Sequence, residues 1–283
     1  MKDEKSLTYE KLMRGFREKG YELESYGTVK ETVRENRKNY RLYKTVINPR
    51  FKKTLLITSG FHGEEFNGPI SLLGFFDEVT AFAKEMRVRL VVYPCVNPSG
   101  FDLRKRYNAS NERQNNDFMR YITKKEKLVG TLLKKDGPFN AFKIVDSPAK
   151  EVRLLKNDVL KYISPAPHGV LDIHQDHLKA GDFYAYIFSK REIYLKIMNQ
   201  LKEIAEVAKN VPAMNFEDGR KVYYRIDEDG FILLHDGTIT DMFYRLGSEF
   251  VVTSETNTTL PLEKVCQINL IWIKELIKLI VKK

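Results

Sequence analysis

The sequence predicts a single α/β domain built on a mixed, largely parallel β-sheet with helices on both faces. Short apolar runs typical of strands alternate along the chain with longer segments whose apolar residues recur at helical spacing. Strands that alternate with helices favour a sheet that is covered on both sides. A chain of 283 residues, 42% hydrophobic and 12% aromatic, is long enough for one such domain with a sizeable core.

The N-terminal half begins with a helix that Gly20 ends. Its predicted elements are, in order, a helix over residues 7–19, strands over 40–47 and 54–57, a helix over 65–83 and a strand over 89–96. No period holds over residues 101–116, where polar and basic residues dominate. Because long structureless segments in compact domains usually carry function, we expect a functional loop there.

The C-terminal half repeats the alternation of helices and strands. Its predicted elements are helices over 119–135 and 149–162, strands over 169–173, 183–188 and 249–253, a helix over 191–209 and a last helix over 263–283. The last helix has apolar residues on one side and lysines on the other. We expect it to dock on the sheet rather than lie on a membrane surface.

The charge balance is basic without the signature of a nucleic-acid-binding module. The chain has 48 Lys and Arg against 38 Asp and Glu, a formal net charge of +10. The excess lies in short clusters without interleaved aromatic residues or glycine motifs: Arg104-Lys105-Arg106, Lys124-Lys125 and Lys134-Lys135. We expect no nucleic-acid partner, and any basic charge that faces a pocket would favour anionic substrates.

The sequence also indicates a compartment. Residues 1–6 carry charges of both signs and no apolar segment of a signal peptide, and no apolar run reaches membrane-spanning length. The two cysteines, Cys95 and Cys266, lie in a predicted strand and a predicted helix. We expect them to be buried thiols rather than part of a disulfide framework. We therefore expect a soluble cytoplasmic protein with no membrane partner.

The first strong chemical signal is His62-x-x-Glu65, directly after the apolar strand 54–57. Positions i and i+3 of a helical turn face the same way, so the imidazole and the carboxylate can converge on one metal ion. A capping or hydrogen-bonding pair at the start of a helix is the alternative for this motif taken alone.

Two further strands end in residues of the same kind. His174 follows the apolar run 170–173, with Asp172 placed to orient it, and Glu255 follows the run 250–252. Ligand sites of open α/β sheets lie beyond the carboxyl ends of the strands, so these residues and the His62 turn are expected to meet. Two histidines and one glutamate, with a fourth position left open, are typical of a catalytic zinc site.

These motifs stand in the order found in a known family. In sequence they are His62-x-x-Glu65, Asn97-Pro98-Ser99-Gly100, Arg106-Tyr107, Asn115-Asn116-Asp117-Phe118, Asp172-Ile173-His174 and Glu255-Thr256. From about residue 54 to 262 the chain resembles the zinc carboxypeptidases of the M14 family, together with their succinylglutamate desuccinylase and aspartoacylase relatives.

The resemblance implies one zinc ion bound by His62, Glu65 and His174, with Glu255 as the general base. It also implies that Arg106 acts as the electrophile for the developing oxyanion, because Arg106-Tyr107 matches an Arg-Tyr pair of the family. Arg104, in the same basic cluster, is the competing candidate.

Substrate recognition is where the chain departs from the family. The family usually has Asn-Arg where this chain has Asn115-Asn116, so the arginine expected for a substrate carboxylate is missing. We expect Asn115 and a nearby guanidinium to replace it, with Arg113 preferred over Arg104 because it lies in the same loop.

Asp241 lies in a region that lines the pocket for the substrate side chain in the family. Its alternative role is to cap the start of a helix near Thr240.

The sequence thus predicts a zinc-dependent hydrolase of amide bonds, most simply a metallocarboxypeptidase that releases a C-terminal residue from a peptide. The alternatives are an N-acyl amino acid deacylase, whose relatives usually carry an extra C-terminal β domain, and a non-catalytic metal- or peptide-binding module. The segment after Glu255 looks helical, which favours the peptidase. Residues 1–50 are expected to belong to the same domain as the catalytic region, 51–283.

Overall fold

The computed structural model describes residues 7–282, apart from 116–117, 133–137, 189–190, 210–213, 216–220 and 223–224. The helices are α1 (Tyr9–Glu18), α2 (Asn67–Glu85), α3 (Pro98–Leu103), α4 (Lys150–Val159), α5 (Leu195–Lys202), α6 (Ile239–Arg245) and α7 (Leu262–Lys282). The strands are β1 (Glu24–Val33), β2 (Asn36–Ile47), β3 (Thr54–Ser59), β4 (Arg89–Tyr93), β5 (Met119–Thr123), β6 (Leu128–Val129), β7 (Phe139–Ile144), β8 (Gly169–Asp176), β9 (Phe183–Ile187), β10 (Met214–Asn215), β11 (Lys221–Val222), β12 (Phe231–Leu233) and β13 (Phe250–Asn257).

Eight strands form one mixed sheet in the order β1-β2-β4-β3-β8-β13-β9-β12. The four central strands, β4, β3, β8 and β13, are parallel neighbours. The pairs β1–β2, β2–β4 and β13–β9 are antiparallel, and the edge strand β12 is parallel to β9. The predicted mixed, largely parallel sheet in a single α/β domain is confirmed. Because the central strands are parallel, their carboxyl ends meet at one edge.

Two hydrophobic cores cover the two faces of this sheet. Leu55 and Ile57 of β3 belong to one core and Leu56 to the other, because successive side chains of a strand point to opposite faces. The first core contains residues of α1, α2, α5 and α7, including Phe16, Phe76, Leu201 and Trp272. The second contains residues of α4, α6 and β5, including Leu155, Phe243 and Tyr121. The prediction that α7 docks on the domain is confirmed, since it packs in the first core.

One predicted element was wrong. Residues 119–135 were expected to be helical, but β5 and β6 occupy part of this segment and pair with β7 in a small three-stranded sheet. Along β5 the buried residues are Met119, Tyr121 and Thr123, which is the period of two of a strand. Tyr121 packs in the second core together with residues of α6. This tertiary packing overrides the weak helical pattern of the segment.

Several other boundaries shifted, and some elements were not anticipated. No prediction covered β1, β7, β10, β11, β12, α3 and α6, and α3 extends into the segment expected to be a loop from residue 101. The helix expected over 191–209 is shorter, with α5 ending at Lys202. No helix within the described ranges is both long and apolar enough to cross a membrane.

Candidate metal centre and active site

Strand register alone places two of the candidate residues side by side. On the parallel strands β8 and β13, His174 is the register partner of Glu255, and Asp172 pairs with Thr58 of β3. Register partners point to the same face of a sheet, and so do residues two apart on one strand. Thr58, Asp172, His174 and Glu255 therefore form a polar patch at the carboxyl edge of an otherwise apolar face.

His62 and Glu65 lie on a tight turn between β3 and α2 rather than in the helix itself. The backbone N–H of Glu65 donates to the carbonyl of His62 at 3.2 Å, and α2 begins only at Asn67. Gly63 inside this turn lies against the backbone of Gly100. A Cβ added at Gly63 would come within 1.9 Å of the Gly100 carbonyl carbon, so only glycine fits there.

The Asn97-Pro98-Ser99-Gly100 motif fixes that turn in place. The side-chain amide of Asn97 donates to the carbonyl of Phe61 at 3.0 Å, and its oxygen accepts from the backbone N–H of Gly100 at 2.9 Å. The Ser99 hydroxyl accepts from the backbone N–H of Ala109 at 2.9 Å. The motif thus joins the His62 turn to the start of the loop over residues 104–115.

The predicted ligands converge. Oε1 of Glu65 lies 2.5 Å from Nδ1 of His62, and Oε2 of Glu65 lies 2.8 Å from Nδ1 of His174. The ligand atoms of the three residues lie within 4.8 Å of one another, and all three side chains are buried. In the part of the chain that the structure describes, this is the one cluster of three such residues able to hold a metal ion.

The ring of His174 is oriented from its far side. Its Nε2 lies 2.9 Å from Oδ2 of Asp172, whose Oδ1 accepts a hydrogen bond from the Thr58 hydroxyl at 2.7 Å. With the Nε2 proton donated to Asp172, Nδ1 is the nitrogen that faces Glu65 and the centre of the cluster. A carboxylate behind a histidine is the arrangement that orients metal-binding imidazoles.

The electrostatics of the cluster favour a cation. Burial alone would raise the pKa of Glu65, but the imidazoles of His62 and His174 hold this pKa below its usual value. Burial works against a charged His174, yet Asp172 and Glu65 hold its pKa well above the ordinary range. Burial lowers the pKa of His62. Neutral His62 and ionised Glu65 are the forms that bind a metal ion, and a cation in the cluster would replace the positive charge that His174 otherwise carries.

Glu255 is a half-buried residue whose carboxylate has one buried, unused oxygen. Its Oε2 has no hydrogen-bond partner among the described residues. Burial raises the pKa of Glu255 well above its usual value, and the nearby carboxylate of Glu65 adds to this effect. An unpartnered oxygen beside an electron-rich set of two nitrogens and one carboxylate fits a site that takes up a divalent cation and a water molecule.

Arg106 lies at the rim of the cluster. Its Nη1 is 3.3 Å from Oε1 of Glu64 and 3.5 Å from Oε1 of Glu65, and its side chain is half exposed. Arg104 is directed elsewhere: its guanidinium donates to the carbonyl oxygens of Leu7 and Phe101. The structure therefore places Arg106, and not Arg104, beside the candidate ligands.

Asn115 also reaches the site. Its side chain is buried, with Nδ2 lying 3.2 Å from Nε2 of His174. Arg113 is exposed on the same loop, two residues earlier. Asn116, the departure from the family pattern, lies outside the described residues.

Asp241 is fully buried in a network of its own. Its Oδ1 accepts from the Tyr121 hydroxyl at 2.6 Å and lies 2.9 Å from Nδ1 of His235, and its Oδ2 accepts from the N–H of Gly237 at 3.0 Å. Its backbone N–H donates to the hydroxyl of Thr238, the N-cap residue of α6. Each Asp241 oxygen thus already has a partner within the protein. The N-cap residue is Thr238, and Asp241 lies in the first turn of α6 rather than at its cap.

Asp236, an acidic residue that no sequence motif singles out, lies close to Asp241. Asp236 accepts hydrogen bonds from the N–H and hydroxyl of Thr238, and hydroxyl contacts of 3.0 and 2.9 Å continue through Thr240 to Thr253. Burial and the neighbouring Asp241 raise the pKa of Asp236 to about 7. Only the turn signal Asp236-Gly237 was visible in the sequence, because the burial of Asp236 and the link through Thr240 to Thr253 depend on the tertiary fold.

Sequence comparison identifies no relative: no family model and no curated protein matches the chain. Solved structures do match. A candidate metallopeptidase from Shewanella amazonensis superimposes with a TM-score of 0.68 at 23% identity, covering 96% of this chain and 91% of that one. A second, from Shewanella denitrificans, gives 0.67 at 23% identity, covering 97% and 90%.

Carboxypeptidase-like structures align as well. Bovine thrombin-activatable fibrinolysis inhibitor, solved with tick carboxypeptidase inhibitor, gives a TM-score of 0.60 at 14% identity over 97% of this chain and 95% of that one. A Pseudomonas aeruginosa metallo-carboxypeptidase, solved with (2-guanidinoethylmercapto)succinic acid, gives 0.59 at 14% identity over 96% and 69%. The chain has the fold of the M14-like metallo-carboxypeptidases.

Proposed function

We propose that the protein is a zinc-dependent hydrolase of amide bonds that acts as a metallocarboxypeptidase. The observation that carries this proposal is that His62, Glu65 and His174 meet in the interior beside Glu255, whose buried Oε2 has no hydrogen-bond partner among the described residues. A binding module would need the metal ligands alone, whereas a hydrolase also needs a base within reach of the attacking water.

Zinc held by His62, Glu65 and His174 would polarise the scissile carbonyl and make water acidic near neutral pH. The protein's own groups do the rest. Glu255 accepts the proton of the attacking water and passes it to the leaving nitrogen, a contribution of typically ~10² to 10⁴ in rate. Arg106, at the rim, stabilises the negative charge that develops on the carbonyl oxygen.

The loop over residues 104–115 binds the substrate in this proposal. Asn115 hydrogen-bonds the terminal carboxylate of the substrate, and Arg113 supplies the guanidinium that the family places one residue after this asparagine. Asp241 supports the pocket for the substrate side chain by holding Tyr121 and His235 in place.

The proposal is tested with zinc-loaded protein and a mixed library of peptides and N-acyl amino acids, with product masses as the readout. Peptides shortened by one C-terminal residue are the expected products. Release of acyl groups from N-acyl amino acids would instead identify a deacylase, and zinc-loaded protein that cuts neither class would contradict a hydrolase.

Glu255→Gln is the matched variant for that assay, because it keeps the shape of the side chain but cannot accept the proton. We expect it to retain zinc and fold while kcat falls by about 10² or more. Normal turnover by Glu255→Gln would remove this residue from the mechanism.

A further inference from the structure

A buried carboxyl supports the loop that carries Arg113 and Asn115. Glu151, in the first turn of α4, is 1% exposed. Its Oε1 accepts hydrogen bonds from Nδ2 of Asn108 at 2.9 Å and from Nε2 of Gln114 at 3.1 Å. Both donors belong to the loop, so the loop is fastened to α4 at two points.

Two hydrogen-bond acceptors remain unused beside this junction. Oε2 of Glu151 and Oε1 of Gln114 are buried, and neither has a hydrogen-bond partner within the described part of the chain. An unpaired buried acceptor is destabilising, and two acceptors cannot bond to each other. A proton on Oε2 of Glu151 would turn one of them into a donor for the other.

The surroundings of Glu151 favour that proton. Glu31 of β1 and Glu112 of the loop bring further negative charge, since Glu31 accepts from Ser110 and Glu112 shares the amide of Asn108. Tyr26 of β1 is a further titratable group near it. No Lys, Arg or His in the described ranges forms an ion pair with Glu151.

The contributions to the pKa of Glu151 also favour the protonated carboxyl. Burial raises the pKa of the Glu151 carboxyl, and Glu31 raises it further. The hydrogen bonds from its own backbone and from the two amides lower it but do not outweigh burial.

We propose that Glu151 is a positioning residue: as a neutral carboxyl it pairs with the Gln114 amide through two hydrogen bonds and so holds Asn115 beside His174. Gln114 is joined directly to Asn115, whose Nδ2 lies 3.2 Å from the His174 ring. The effect on catalysis rests on the proposed function. The hydrogen-bonded pair of Glu151 and Gln114, and its stabilisation of the loop, do not.

Two substitutions separate this role from that of a buried charge. In Glu151→Gln the amide oxygen accepts the same two bonds and the new N–H donates to Gln114, so kcat/KM at pH 7 should stay within about twofold of wild type. In Glu151→Leu the pair is lost, and KM should rise about tenfold or more with a smaller change in kcat, because the loop binds substrate. The ratio of Glu151→Gln to wild-type kcat/KM should increase as rising pH ionises Glu151.

Two further measurements do not depend on activity. The infrared spectrum of wild-type protein minus that of Glu151→Gln should contain the C=O stretching band of a protonated carboxyl at pH 7. Hydrogen exchange of the backbone amides in residues 104–115 should be as slow in Glu151→Gln as in wild type and faster in Glu151→Leu. If Glu151→Leu does not fold, Gln114→Leu replaces it, since this variant breaks the same pair from the loop side.

A carboxylate band in place of the protonated one would overturn the proposal. So would a tenfold loss in Glu151→Gln, or unchanged exchange in the leucine variants. Loss of activity in every form, with the infrared and exchange results as expected, would count against the proposed hydrolase and leave the loop anchor intact.

Discussion

At the scale of single residues, Asp172 has a particular part in the proposed metal centre. It receives hydrogen bonds on both oxygens, from Thr58 and from the His174 ring, and so fixes which ring nitrogen faces the metal. The sequence suggested this role, because an aspartate two residues before a histidine on a strand points to the same face.

We expect Asp172→Asn to weaken zinc binding by about ten- to a hundredfold, since an amide orients the imidazole less well and makes it a poorer ligand. Competition with a chelator of known affinity measures this change. Asp146→Asn, at an exposed position, is the control and should bind zinc as wild type does. Equal affinities in the two variants would show that Asp172 does not support the ligand.

The terminal carboxylate of the substrate gives a second test at this scale. Replacing it by an amide removes a charge-assisted hydrogen bond of roughly 1.5–3 kcal/mol, or about ten- to a hundredfold in kcat/KM. C-terminally amidated substrates should therefore be poor ones, and Arg113→Ala should erase much of the difference. Equal cleavage of free-acid and amidated substrates by the wild type would describe an endo-acting amidase instead.

At the scale of elements, the site is held by the turn between β3 and α2 and by the segment Asn97–Gly100 that packs against it. Their contact is a backbone-to-backbone approach at Gly63 and Gly100, fastened by the Asn97 amide. The sequence named both motifs but could not show that they touch, because the contact depends on β4 lying next to β3 in the sheet.

Gly63→Ala should therefore disturb the metal site without altering a ligand. We expect it to destabilise the protein by roughly 1–3 kcal/mol through overpacking and to lower zinc affinity as the turn shifts. Gly130→Ala is the matched control, because a Cβ there meets no heavy atom within 4 Å. Urea unfolding and zinc titration measure both effects, and a Gly63→Ala protein that equals Gly130→Ala in both would contradict this role of the turn.

The helix predicted over residues 119–135 was wrong because the conformation of this segment depends on contacts between elements. β5 owes its conformation to pairing with β7 and to burial of Tyr121 among residues of α6. Neither partner is close in sequence, so a local pattern could not reveal the strand.

At the scale of the whole molecule, two hydrophobic cores hold four parallel strands so that their carboxyl ends share one edge. The sequence predicted this architecture because the apolar runs and their polar ends are local features. It did not reveal Glu151 and Gln114, which lie far apart in the chain and meet only in the fold. Nor did it reveal Asp236, whose burial depends on the tertiary structure. The candidate ligands and Glu255 lie on strands or on a tight turn after a strand, where a local pattern can place them, whereas Arg106 and Asn115 were expected only from the resemblance.

The central claim is that one zinc ion binds where these elements meet, and metal analysis of zinc-reconstituted protein tests it. Wild-type protein should hold close to one zinc per chain after dialysis. His62→Ala and His174→Ala should each lose most of it, and the double variant all of it, while each stays folded by circular dichroism. Full zinc occupancy in the folded double variant would contradict the assignment of His62, Glu65 and His174 as the metal centre.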